Sequence, residues 1–158
     1  MNNTFMSDVY PGSWIKVDCK NLLGLGFEHD GIVVDVKANP TTPEDVKVFH
    51  FAWNERDDRR VIVETTLDVF MAMGTNTRIV DVEFTVNPSL VVNRARSQLG
   101  RADYNLLGRN CQHFAHWCCH GNAFSREVFK YSAFGAAFGL VVAFAGFFGM
   151  AAARGSMW

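Results

Sequence analysis

Apolar and polar positions alternate with a two-residue period through the first half of the chain and with a helical period through the second. Over 13–18, Ile15 and Val17 interleave with Trp14 and Lys16, which predicts a half-buried strand. Further strands are expected over 29–37, centred on Gly31-Ile32-Val33-Val34, and over 46–53 and 60–65. Between them lie a Gly-containing loop over 21–27, a turn over 38–45 broken by Asn39-Pro40 and Thr42-Pro43, and a charged turn over 54–59. A short helix over 66–73 and a last strand over 78–85 complete this half.

The helical half opens at Asn87, a good cap, with Pro88 in the first turn, where its missing N–H costs nothing. Val91, Ala95 and Leu99 recur at helical spacing until Gly100 stops the helix. A second helix is predicted over 111–120, capped by Asn110 and ended by Gly121. Its inward face would be Cys111, Phe114, Ala115, Cys118 and Cys119. Strands first and helices last make an α+β domain, expected over 11–130 behind a loose arm over 1–10.

One segment fits neither period. Residues 131–153 carry no charge, with Lys130 before them and Arg154 after. As a helix this segment would reach about 35 Å, enough for a hydrocarbon core of about 30 Å. A buried core helix rarely stays apolar on every face for so long. A C-terminal membrane anchor is therefore expected, with the main domain facing the cytosol. Gly135 and Gly139 have the spacing that lets two such helices approach, so helix-mediated self-association is a further expectation.

Composition adds limits. At 158 residues the chain makes one domain, and a formal net charge of −1 points to no nucleic-acid partner. No signal peptide is expected in the polar, mixed N-terminus. Cys19, Cys111, Cys118 and Cys119 have no disulfide-framework spacing, which suits a reducing compartment.

Cys111 is the candidate nucleophile. At the first position of a helix its sulfur would sit near the positive end of the helix dipole, which favours the thiolate. A buried structural cysteine is the plainer alternative. A thiol nucleophile needs an imidazole within reach, oriented by a third group. His113, His116 and His120 share the helix of Cys111 and are badly aimed at its N-terminus. His29 and His50, on adjacent strands, can place two rings about 5 Å apart on one face. A zinc site in the Cys/His-rich stretch 111–120 competes, but one short helix cannot wrap four ligands tetrahedrally. Neither a metal nor another cofactor is expected.

Several segments together resemble the lecithin:retinol acyltransferase-like family, which includes the H-Ras-like suppressor phospholipase/acyltransferases. Pro11-Gly12-Ser13-Trp14-Ile15 looks like the family's first strand, and Phe27-Glu28-His29-Asp30-Gly31-Ile32-Val33-Val34 looks like its H-box. Asn110-Cys111-Gln112-His113-Phe114 matches its NC motif, with the helix from Pro88 preceding it. The resemblance implies an antiparallel sheet packed on helices, a circular permutation of the NlpC/P60 thiol peptidase fold. It further implies Cys111 as the acyl-accepting nucleophile, His29 as its base, His50 as the orienting member and a phospholipid as substrate. Phe27 stands where many members carry Tyr, and Asp30 where an aromatic residue is usual. Alternation would point Asp30 away from the face that holds His29. The H-box/NC pattern also occurs in the 2A proteins of some picornaviruses, which gives a second expectation: a non-catalytic membrane module acting by interaction in replication. A thiol peptidase is a third.

Overall fold

The computed structural model describes residues 3–20, 23–82, 87–105 and 109–122. The membrane helix expected over 131–153 lies outside them. Among the described residues no helix is long and apolar enough to cross a membrane.

Five strands form one antiparallel sheet: β1 (Trp14–Lys20), β2 (Gly26–Val36), β3 (Val46–Asn54), β4 (Arg59–Thr66) and β5 (Thr75–Ile79), ordered β4-β3-β2-β1-β5. The helices are α1 (Asn3–Asp8), α2 (Leu67–Met71), α3 (Pro88–Arg96) and α4 (Cys111–His120). The loop between β2 and β3 is tied by Asp45, which accepts from the Thr41 and Thr42 N–H groups and pairs with Lys37.

Several boundaries differ from the sequence expectation; β2 begins at Gly26, inside the loop expected over 21–27. The last strand starts at Thr75 rather than 78, because Thr75 is already paired with Asp18 of β1, and it ends at Ile79. Residues 83–85 of the expected strand lie outside the described set. The N-terminal arm contains α1, followed by buried Val9. Finally, α3 closes at Ser97, so Val91 and Ala95 are buried while Leu99 is 51% exposed. Gly100 turns the chain there at φ +78°, and its N–H bonds the Ile62 carbonyl at 2.8 Å. That pairing to β4 takes the chain off the helical path.

Strand alternation divides the interior into two layers. On one face Trp14, Ile32, Val34, Phe49, Phe51 and Ile62 pack against Val91 and Ala95 of α3 and the inward side of α4. On the other, Ile15, Val17, Val33, Val46 and Val48 pack against Leu67 and Phe70 of α2. Gly31 fixes the phase of β2 between these layers. A Cβ at that position would lie 2.8 Å from both the Phe70 ring and Val48 Cγ1. A one-residue slip, which would exchange the faces of β2, is blocked there by steric overlap.

Candidate active site

Asn110 positions Cys111. Its backbone is extended, and its Oδ1 accepts from the His113 N–H at 3.0 Å, satisfying one of the first-turn donors of α4. His113 Nδ1 lies 2.9 Å from the same oxygen, so this imidazole belongs to the cap. Cys111 is buried, at 8% exposure, and its sulfur points to β2. The Sγ lies 3.9 Å from the Glu28 carbonyl and 3.9 Å from Asp30 Oδ2. All four cysteines are free thiols. Burial pushes Cys119 up to about 12 and Cys118 higher still, which leaves both as packing residues.

The two strand histidines are also together. His29 Nε2 lies 2.9 Å from His50 Nδ1, with ring centroids 5.1 Å apart. His50 Nδ1 is also 3.2 Å from the Phe51 carbonyl, and its Nε2 is 3.0 Å from Thr65 Oγ1. A carbonyl can only accept, so the network assigns the proton to His50 Nδ1, which donates to both His29 Nε2 and Phe51 O. The Thr65 hydroxyl then donates to His50 Nε2. Burial holds His29 well below the ordinary histidine value, helped by His50 and Arg60, and burial brings His50 down to about 4. Both rings are neutral at pH 7.

The sheet lies between this pair and Cys111. His29 stacks on Phe70 at 5.5 Å and His50 meets the same ring edge-on at 5.3 Å, which puts both imidazoles in the α2 layer. Cys111 belongs to the α4 layer. Of the three residues singled out from the sequence, two are in contact and the third faces Asp30.

The α4 face of the sheet carries a charged ladder that sequence reading did not identify. Arg78 of β5 pairs with Asp18 at 2.6 Å and with Glu28. Lys16, 7% exposed, pairs with Glu28 at 2.8 Å and lies 3.5 Å from Asp30 Oδ1. Asp30 is fully buried and accepts from Trp14 Nε1 at 2.7 Å. The signal was available in the pattern: Lys16 and Asp18 alternate on β1, Glu28 and Asp30 on β2, and Lys16 is paired directly with Asp30.

Beside Asn110 and His113 opens a cleft of about 200 Å³, floored by Phe51, Ile62, Phe114 and Trp117. Arg101 and Arg109 stand at its rim and share Asp103. Among the described residues no group of three or more His, Cys, Asp or Glu side chains is arranged to hold a metal ion.

In the comparison with known families, the model described as lecithin retinol acyltransferase matches residues 9–124. None of the curated proteins compared matches the chain.

Proposed function

The chain belongs to the lecithin retinol acyltransferase family, whose model spans residues 9–124, and from that premise we propose that it transfers or hydrolyses phospholipid acyl groups through a thioester on Cys111. The observation that carries the reading is the placement of Cys111 at the capped first turn of α4 within the matched region. The helix dipole and first-turn N–H groups favour negative charge at that point, both on sulfur and on a developing oxyanion. Cys111 Sγ attacks the ester carbonyl, the lysophospholipid leaves, and water or an amine takes the acyl group from sulfur. The thiol proton goes to His29 Nε2 once that nitrogen is released from the His50 N–H it accepts at 2.9 Å, and from there to the departing lysophospholipid oxygen. That transfer requires the start of β2 to rearrange so that His29 leaves its Phe70 stack.

Residues 131–153 act in this reading as a C-terminal membrane anchor, with the domain on the cytosolic side. A tethered domain meets its lipid substrate at high effective concentration.

The separation of His29 from Cys111 by the sheet favours a second reading, in which the fold is kept as a non-catalytic H-box/NC module that acts by interaction at a membrane. Turnover distinguishes the two. With phospholipid vesicles, Cys111→Ser is expected to abolish lysophospholipid release, and Cys118→Ser to retain it. Equal retention by both variants, or no release from the parent chain, would support the second reading.

A further inference from the structure

Asp30 is the side chain whose burial and charge the acyl-transfer reading leaves unused. It is fully buried within the layer that α4 covers, and its two oxygens are differently engaged. Oδ1 accepts from Trp14 Nε1 at 2.7 Å and lies 3.5 Å from Lys16 Nζ. Oδ2 lies 3.9 Å from Cys111 Sγ. The Lys16 ammonium balances the carboxylate's charge, and the carboxylate can only accept, so the S–H is the donor of the sulfur contact. A thiolate in the same place would face a like charge at short range.

We propose that Asp30 is a positioning residue for Cys111, holding the thiol protonated and turned onto β2 until that contact is broken. The proposal gains its catalytic meaning from the reading of Cys111 as acyl acceptor, while the contact itself is independent of that reading. Substrate entry or rearrangement of β2 that displaces Oδ2 would release the thiol to the α4 dipole. A resting enzyme protected from oxidation and alkylation follows.

Other charged groups reach this face from each neighbouring element. Lys16 and Asp18 come from β1, Glu28 from β2 and Arg78 from β5. Arg94 of α3 bonds the Cys118 carbonyl at 3.0 Å. Helix α4 adds His113, His116 and His120, whereas the β3 side chains in this layer are Phe49 and Phe51. Measurements above pH 7 stay clear of the ordinary histidine range, so the thiol and its carboxylate dominate what is read there.

The test is the rate of iodoacetamide alkylation at Cys111 in the full chain, followed by peptide mass from pH 7 to 10. Cys111→Ser supplies the background from the other cysteines. Asp30→Asn is expected to speed alkylation about tenfold at pH 7.5 and to move the midpoint of the profile down by about one unit. Asp30→Glu, which keeps a carboxylate, is expected to stay near the parent rate. Should Asp30→Asn fail to fold by circular dichroism, Trp14→Phe removes the Nε1 donor from Oδ1. It leaves the carboxylate a stronger acceptor for the thiol and slows alkylation two- to threefold. A folded Asp30→Asn with the parent profile, or an unchanged rate in Trp14→Phe, would overturn the proposal. Loss of lipid turnover in the parent chain would defeat the acyl-transfer reading and leave the alkylation result standing.

Discussion

At the scale of single residues, the buried histidine pair ties stability to pH. His50 is brought down to about 4 by burial, with the Phe51 carbonyl pulling weakly the other way. Above the ordinary value near 6.5 both folded and unfolded chains carry a neutral ring there. Between 6.5 and about 4 the unfolded chain binds a proton that the folded chain excludes, so stability falls as pH drops through that window. For His50 the loss is about 3 kcal/mol, and His29 shifts in the same direction. Urea unfolding at pH 7 and pH 4.5 should show this slope in the parent chain and a smaller one in His50→Gln. Equal slopes would mean that His50 is not the excluded group.

For the strands and helices, the decisive feature is the phase of β2. The alternating pattern made its strand legible and placed His29 and His50 on one face. Which face α4 covers was not legible, because β2 is apolar on both sides: Ile32 and Val34 enter one layer and Val33 the other. Binary patterning cannot assign a strand whose two faces read alike. The capped start of α4 was readable to the residue, since Asn110, Cys111 and Gly121 each supply a local signal. Leu99 misled because its helical spacing continued after β4 had captured the backbone of Gly100. Gly31 holds the observed phase through a contact that no local pattern reveals. Gly31→Ala is therefore expected to destabilise the domain by about 1–3 kcal/mol through overlap with Phe70 and Val48, read as a lowered midpoint in thermal melts. An unchanged midpoint would show that the two layers can separate locally at little cost.

Across the whole molecule, the proposal joins a lipid-directed domain to an apolar C-terminal segment. Residues 131–153 have the length and lack of charge that a bilayer requires. Ending the chain at residue 130 is expected to move the protein from the vesicle pellet to the supernatant in flotation or sedimentation assays. Persistent pelleting would place membrane attachment within the domain itself, where exposed Leu23, Leu25 and Tyr10 offer apolar surface. Sequence motifs carried the family and the candidate nucleophile, but the layered sheet decides what that nucleophile meets. The charge ladder from Arg78 to Asp30 and the Phe70 stack over His29 are tertiary facts, built from residues far apart in the chain.

Acylation of Cys111 is read by intact-mass analysis of the full chain after incubation with phospholipid vesicles. A thioester on Cys111 gives one added acyl mass, mapped to the peptide containing Cys111, removed by neutral hydroxylamine and absent from Cys111→Ser. An unmodified Cys111 under conditions of sustained vesicle binding would contradict it.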